Sequence, residues 1–319
     1  MNYFVFVIFL SLNITIISSF FVGKYDKNSN PANIMSQSLL KPNMAYIPQA
    51  YANLERIKRS TNLPEDIQGF KFNTVYFPMP DPRQGPTEGP TVIPLLYGNF
   101  SMNDGDMIKL STTSVLVLDE NSKKTEKCYI LIDTGLSLFK NTIAGGLAAH
   151  GVKLSDVNRL VLTHTDVDNL GNLNLFPDAL IFSGNREIKR ASFKINTDEG
   201  YEHSEYGLPT IKLCDNTEIM LTPGQSDDGI SIIVRNVSGY GDIGIVGNLF
   251  VSELDLTKPL LWQQFVKDAS QASQWESSRE HILCTVDFIA PGYGVMFKIP
   301  DTVKTSMKDK CNELKNLRI

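Results

Sequence analysis

The sequence predicts an α+β fold in which two mixed β-sheets pack face to face and helices cover their outer surfaces. Three observations support this prediction. From Thr91 onward, short apolar runs alternate with turns that contain Gly and Asp, the runs fall into two groups, and helix-spaced segments accompany each group. The chain has 319 residues, of which 42% are hydrophobic, so it can bury a core of this size.

The first group of strands is predicted at residues 91–100, 108–119 and 128–135, which are rich in Val, Ile and Leu. Residues 141–152 then space their apolar side chains as a helix does, and the pattern ends at a glycine. Residues 159–165 predict one more strand, and this strand ends in polar side chains. A sheet with at least one covering helix follows from this order.

The second group of predicted strands also consists of short apolar runs separated by turn residues, and a longer helical segment follows it. Leu261, Phe265 and Ala269 recur at helical spacing within residues 259–286. A closing strand and turn are predicted at residues 287–297. The other predicted strands of this group lie at residues 179–184, 217–224, 229–236 and 243–250.

The first 23 residues predict a targeting segment, because the stretch from Tyr3 to Val22 is apolar and contains no charged residue. Small residues between positions 18 and 23 favour cleavage as a signal peptide, so the sequence predicts a secreted, extracellular protein. The alternative is an uncleaved signal anchor, which would make the chain a type II membrane protein. Membrane contact is expected only in that second case.

Three further boundaries follow from composition. Residues 24–90 hold nine of the 16 prolines and predict a loosely ordered arm, residues 91–300 the folded domain, and residues 301–319 a C-terminal tail. Within the arm, residues 56–59 are Arg-Ile-Lys-Arg, which predicts cleavage by a proprotein convertase, the alternative being an amphipathic turn of helix.

Glycosylation and disulfides are both compatible with a secretory route. Asn99 and Asn236 each begin an Asn-x-Ser sequon. The four cysteines could form two bridges in three ways in an oxidising compartment. Because Cys128 and Cys284 lie in apolar, strand-like or helix-like runs, the interpretation we favour for these two is a free thiol packed as a small hydrophobic group.

The charge balance excludes one class of function. Thirty Lys and Arg residues against 35 Asp and Glu residues give a net charge of −5, so no general basic field attracts nucleic acid phosphates. The chain also has only four histidines, which limits any metal site that needs many imidazoles: His150, His164, His203 and His281.

Polar residues collect at the ends of five predicted strands. The residue types and the order of these five motifs resemble those of the metallo-β-lactamase superfamily, over residues 91–299. The motifs are Asp133-Thr134-Gly135, the run from Thr163 to Asn169, Thr222-Pro223-Gly224-Gln225, Gly247-Asn248 and Pro291-Gly292-Tyr293. The resemblance implies a four-layer αβ/βα sandwich and zinc-dependent hydrolysis. It further implies that Asp133 orients the motif loop rather than binding metal.

The ligand positions implied by the resemblance are mostly replaced in this chain. In the family's His-x-His-x-Asp-His pattern, His164 and Asp168 keep their residue types, whereas Asp166 and Asn169 stand where histidines are expected. At the three later ligand positions, Gln225 and Tyr293 replace histidines and Asn248 replaces the bridging aspartate. Amide oxygens are poor zinc ligands, and without the bridging carboxylate two divalent cations repel each other.

These replacements predict a catalytically degenerate protein that binds a small molecule or a protein in the former active-site cleft, with no cofactor. The alternative is a metal-dependent hydrolase of the family type, endoribonuclease-like included, that uses zinc or another single divalent cation at His164, Asp166 and Asp168. A third hypothesis is a structural protein whose cleft is filled by its own side chains. All three predict that Gln225, Asn248 and Tyr293 converge in one place.

Overall fold

The computed structural model describes residues 89–102, 108–119, 127–197, 201–256 and 266–316. The targeting segment, the arm up to residue 88, the dibasic site and the positions of Leu261 and Phe265 lie outside these residues. In the described residues the strands follow as Thr91–Leu96 (β1), Asn99–Met102 (β2), Ile108–Ser111 (β3), Ser114–Leu118 (β4), Tyr129–Ile132 (β5), Arg159–Leu162 (β6), Leu180–Ser183 (β7), Arg186–Lys189 (β8), Ser192–Ile195 (β9), Glu202–His203 (β10), Pro209–Lys212 (β11), Thr217–Leu221 (β12), Ile230–Val237 (β13), Gly241–Gly247 (β14), Phe288–Pro291 (β15) and Phe297–Lys298 (β16).

Helices of the described residues are interspersed with these strands. They are Lys140–Ala149 (α1), Val167–Leu170 (α2), Ala269–Thr285 (α3), Asp301–Ser306 (α4) and Lys308–Asn316 (α5). The longest of them, α3, has 17 residues. No helix in the described ranges has both the length and the apolar character needed to cross a bilayer.

Fourteen of the sixteen described strands form two mixed sheets of seven strands each, and the sequence predicts two mixed sheets. The first has the order β1-β4-β5-β6-β7-β8-β9, with parallel pairing from β5 through β7 and antiparallel pairing elsewhere. The second runs from β10 to β16 in chain order, and only its β14–β15 pair is parallel. The predicted fold class, an α+β sandwich of two mixed sheets, is confirmed.

The core between the sheets is built by period-two alternation along each strand. Val115 and Val117 of β4 point into the space between the sheets, where they join Ile232 and Val234 of β13, and all four side chains are fully buried. Leu116, which lies between the two valines, points to the opposite face of the first sheet. Strand β4 therefore supplies two apolar faces.

Helices cover those outer faces, which gives four layers. On the first sheet, Ile143 and Leu147 of α1 pack against the row that contains Leu116. On the second, Trp275 and Ile282 of α3 pack against the outward side chains of β12 to β15. The order of layers is α1, first sheet, second sheet, α3, as in the predicted αβ/βα sandwich.

The structure differs from the prediction in the extent of several elements. The two runs at residues 91–100 and 108–119 each break into two strands, because β2 and β3 leave the first sheet and pair with each other. At the second break, the Thr113 amide donates to the Gly292 carbonyl, 2.9 Å away, on the loop after β15. Residues 301–316, set apart above as a tail, form α4 and α5.

The interpretation of Cys128 and Cys284 as free thiols is wrong. Cys128, just before β5, is bonded to Cys214 in the second sheet's half of the chain, and Cys284 of α3 is bonded to Cys311 of α5. An apolar run can hold a disulfide as readily as a thiol, since both bury sulfur. The partners, 86 and 27 residues away, cannot be deduced from the run itself.

Candidate functional site

The candidate site lies where strands of both sheets end. His164 follows β6 of the first sheet, whereas Asn248 and Tyr293 follow β14 and β15, the parallel neighbours of the second. Neighbouring parallel strands end at the same edge of a sheet. The sheet topology therefore brings the side chains of Asn248 and Tyr293 together. As predicted, the structure places Asn248 and Tyr293 beside His164 and Asp168, and it places Gln225 at the rim beside Asp166.

Asn248 is the centre of the hydrogen-bond network. Its side-chain nitrogen Nδ2 donates to Nε2 of His164 at 3.0 Å and to Oη of Tyr293 at 3.2 Å. The Tyr293 hydroxyl in turn donates to Oδ2 of Asp168 at 3.3 Å. Four side chains that the sequence analysis placed at ligand positions are therefore bonded to one another.

The protonation state of His164 follows from this geometry. Burial lowers the pKa of His164, although the nearby charges of Asp166, Asp168 and Asp228 oppose the shift, so the imidazole is neutral at pH 7. An amide nitrogen can only donate, so Nε2 accepts and the single ring proton sits on Nδ1. Nδ1 faces Oγ1 of Thr163 at 3.0 Å, which can accept that proton's hydrogen bond.

Asp133 holds the loop that carries His164, the role that the resemblance implies. Its Oδ1 accepts from the Thr163 amide at 2.9 Å and its Oδ2 accepts from the Thr163 hydroxyl at 2.7 Å. The Asp133 backbone has a φ of 52°, a left-handed conformation that Asp tolerates better than most residues. Burial raises the pKa of Asp133 to about 7, and the hydrogen bonds from Thr163 limit the rise.

Asn169 lies behind His164 and is fully buried. Its Nδ2 donates to Oγ1 of Thr163 at 3.2 Å and lies 3.4 Å from Oγ1 of Thr112. The last position of the family pattern has thus become part of the support for the loop. In the described part of the chain, its Oδ1 is one of five buried side-chain oxygen or nitrogen atoms that have no hydrogen-bond partner.

The rim of the site is acidic. The Asp166 side chain is 61% exposed, and its Oδ2 lies 3.5 Å from Nε2 of His164. Gln225 reaches the same oxygen from the loop after β12, with Nε2 at 3.4 Å. Gln225 is therefore a rim residue, bonded to Asp166 rather than to the Asn248 network.

Two glycines allow this close packing. A side chain at Gly292 would place its Cβ 2.2 Å from Oδ1 of Asn248, so only glycine leaves room for the amide. Gly247 has a φ of 51°, and a Cβ there would lie 2.4 Å from Oγ1 of Thr163. The two motif glycines thus allow the loops after β14 and β15 to approach the loop that carries His164.

A buried cation anchors the loop that follows Asn248. The Arg279 guanidinium of α3 donates to the Leu249 carbonyl at 2.8 Å and to the Asp255 carbonyl at 3.2 Å. It lies 3.5 Å from Oδ2 of Asp255 and 3.9 Å from the centre of the Phe250 ring. Trp275 also donates to the Leu249 carbonyl, at 3.0 Å.

Thr163, Arg279 and Asp255 are the structural contributors that sequence reasoning did not assign. Thr163 stands directly before His164, and a hydroxyl next to a candidate ligand is a usable signal for a supporting contact. Arg279 lies 31 residues after Asn248, and nothing in its sequence surroundings indicates a buried cation. That contact could be found only from the fold.

The donor set can be compared with the zinc pair that the resemblance implies, and it does not fit. An N–H of Asn248 points at Nε2 of His164, the atom that would bind an ion. Burial and the charge of Asp168 raise the pKa of Tyr293, so its hydroxyl stays neutral and supplies no phenolate. For a single ion, ligand atoms of His164, Asp166 and Asp168 do lie within 4.8 Å of one another.

Comparison with known proteins agrees with the predicted family. The family model described as "Metallo-beta-lactamase superfamily" matches residues 109–247. An uncharacterized protein of Caenorhabditis elegans is 28% identical over 180 residues, and metallo-beta-lactamase domain-containing protein 1 of Xenopus laevis is 30% identical over 171 residues. The matches cover 55% and 53% of this chain. They cover 47% and 68% of the two relatives, so the chain spans between about half and two-thirds of their lengths.

Among solved structures, a putative metallo-beta-lactamase of Thermotoga maritima matches with a TM-score of 0.44 and 13% identity. The match covers 66% of this chain and all of that one. The model match and the Xenopus relative, together with the two-sheet sandwich, identify the family. The chain belongs to the metallo-β-lactamase superfamily.

Proposed function

We propose that this protein is a non-hydrolytic member of the superfamily that acts by binding a small molecule or a protein at the former metal cleft. The observation that carries the proposal is the Asn248 amide, which donates to both His164 and Tyr293. A carboxylate at position 248 would accept hydrogen bonds and attract a cation. The Asn248 amide instead directs its N–H groups at the place that a cation would occupy. The network joins His164, Asn248, Tyr293 and Asp168 without an ion, although the Oδ1 atoms of Asn169 and Asn248 have no hydrogen-bond partner in the described residues.

A ligand has access to the acidic rim rather than to the buried network. Asp166 is exposed and Gln225 stands beside it, whereas His164 and Asp168 are buried. Asp166, Asp168 and Asp228 all act on His164 electrostatically, so the site favours neutral or cationic ligands over phosphates. This inference agrees with the net negative charge of the chain.

The substitution Asn248→Asp tests the proposal. It exchanges a donor for an acceptor of the same shape, so a carboxylate would face the Nε2 lone pair of His164, and a cation would relieve the repulsion. We expect this variant to bind Zn²⁺ at least about tenfold more tightly than the natural chain in isothermal titration calorimetry. Elemental analysis should find no stoichiometric metal in the natural chain.

The matched control is Asn248→Ala, which opens the network without adding a ligand. It should not reproduce the gain in Zn²⁺ affinity. Stoichiometric metal in the purified natural chain, lost in both His164→Ala and Asp168→Ala, would contradict the proposal and support the second candidate function.

That second candidate is hydrolysis with one divalent cation, and a specific observation favours it. One imidazole and two carboxylates from His164, Asp166 and Asp168 have ligand atoms within 4.8 Å of one another. Such a set suits a borderline or hard cation. The ion would have to displace the Asn248 N–H from Nε2 of His164, and for this reason we rank hydrolysis second.

We further propose that the protein follows the secretory route, either cleaved or as a type II anchored form. Two disulfides support this proposal, since such bonds persist in oxidising compartments. Asn236 is exposed near the C-terminal end of β13, whereas Asn99 is half-buried in β2. Asn236 is thus the better acceptor of the two.

On this route, Asn236→Gln should remove a glycan from the secreted protein. On a denaturing gel, the variant should migrate faster than the untreated natural chain. Its position should lie closer to that of the natural chain after glycosidase treatment. Ser238→Ala is the matched control, because it destroys the sequon and keeps Asn236. Protein that stays in the cytosol with four reactive thiols would refute the route.

A further inference from the structure

The free edge of the first sheet, strand β9, differs from the rest of the fold. All four residues of β9, Ser192 to Ile195, are exposed, and Phe193 and Ile195 are 68% and 53% exposed. These two side chains are two residues apart, so they lie on one face of the strand. Within the described residues, β9 pairs only with β8 and ends the sheet.

Phe193 continues an apolar row that begins in the core. Directly paired residues share a face, and the row runs across successive strands from Leu131 through Leu160, Ile181 and Ile188 to Phe193. Leu131 and Leu160 are fully buried, Ile181 and Ile188 are half-buried, and Phe193 is exposed. The buried face therefore extends past its cover to the sheet edge.

The edge also offers hydrogen-bonding groups and positive charge. In an antiparallel pair, alternate residues turn their N–H and C=O groups away from the partner, so β9 presents outward backbone groups that no other described strand pairs with. Residues 186–195 carry four cationic side chains and one acidic one, in a chain whose net charge is −5. Lys194 is 71% exposed and forms an ion pair with Glu187 at 3.8 Å, and Arg190 pairs with Asp178 at 2.6 Å, so these two acids offset only two of the four positive charges.

We propose that β9 is a docking edge for an extended strand of a partner protein whose residues alternate between apolar and acidic. Its apolar side chains would extend the row at Phe193, its acidic ones would face Lys194, and its backbone would pair with β9. Charge selects this occupant over a second copy of the chain, since two hairpins of this composition repel each other. A four-residue edge also buries less than the roughly 800 Å² per partner of a stable interface, so a dimer held by β9 alone would be weak.

The probe for this edge is a capped seven-residue peptide that alternates Val or Ile with Glu, labelled with a fluorophore and titrated with the purified full chain. We expect it to bind at least about tenfold more tightly than the same peptide with Lys in place of Glu. N-methylation of every second amide should abolish binding, because it removes the donors of strand pairing. Backbone amide shifts in an isotope-labelled sample should locate the contact at β9.

Two variants and one control complete the test. Phe193→Ser and Lys194→Glu should each weaken binding of the acidic peptide at least about fivefold. Leu138→Ser, at a side chain that is 80% exposed and outside β9, should not change it. Equal binding of the acidic and basic peptides, absence of saturable binding, or a dimer that Phe193→Ser dissociates would each overturn the proposal.

Discussion

Replacing Asp133 with alanine is expected to lower the free energy of unfolding by about 3–5 kcal/mol, one of the two largest effects that we expect of a single substitution. The buried amide and hydroxyl of Thr163 would lose their acceptors, which lie 2.9 and 2.7 Å away. Alanine would also have to adopt the φ of 52° that Asp133 now holds. Urea denaturation followed by circular dichroism measures the loss.

The Asp133→Asn variant separates shape from charge. Asparagine tolerates a left-handed backbone, and its Oδ1 can still accept from the Thr163 amide, whereas its Nδ2 can only donate to the Thr163 hydroxyl oxygen. In the natural chain, burial raises the pKa of Asp133 from 3.8 to about 7, so from about pH 4 to 7 the unfolded chain loses a proton that the folded chain keeps. This group therefore makes the folded state less stable as pH rises through that window, by up to about 4 kcal/mol.

The prediction is that the stability difference between the natural chain and the Asp133→Asn variant changes in favour of the variant from pH 4 to pH 7 and is constant above it. Asp178→Ala serves as control, because its ion pair with Arg190 is exposed and should contribute less than about 1 kcal/mol. An Asp133→Ala variant as stable as this control would refute the role given to Asp133.

Arg279→Met should cost about 3–5 kcal/mol, because it leaves the Asp255 carboxylate buried without its cation. The side chain of Asp255 is 0% exposed, so water cannot replace the guanidinium. The carbonyl of Leu249 would also lose one of its two donors. Thermal and urea unfolding both report this loss.

A double-mutant cycle identifies the cause. Asp255→Asn combined with Arg279→Met removes both charges, and the pair should be more stable than the sum of the two single losses predicts. Lys298→Met is the surface control, since its partner Asp301 is 88% exposed. Additive losses in the cycle would mean that Arg279 acts by packing on Phe250 and not by charge.

Much of the fold was predictable from the sequence, because the strands of both sheets alternate or run continuously apolar between turn residues. Strands β8 to β11 were missed because charged and polar residues interrupt them and none of their apolar side chains is fully buried. The breaks between β1 and β2 and between β3 and β4 were also missed, because pairing partners, not propensity, decide where such strands end. Disulfide pairing depends on three-dimensional proximity, so the favoured interpretation of Cys128 and Cys284 was wrong.

The convergence of the site was predictable in the same way, from motifs at strand ends in a known order. What the sequence could not show is the direction of each hydrogen bond. Asn248 turns its nitrogen toward His164, and Gly292, which has no Cβ, leaves room for its oxygen. Likewise, the place of Gln225 at the rim, 3.4 Å from Asp166, follows from loop geometry alone.

The Asn248 network also affects how the stability of the fold depends on the concentration of free metal ions. A fold that depends on a bound metal gains RT ln(1 + [L]/Kd), so its stability rises and falls with the free ion concentration around it. Here His164 from the first sheet is joined to Asn248 and Tyr293 from the second by groups of the chain itself, which no dilution removes. On the proposed non-hydrolytic function, we therefore expect chelators to leave the melting temperature unchanged.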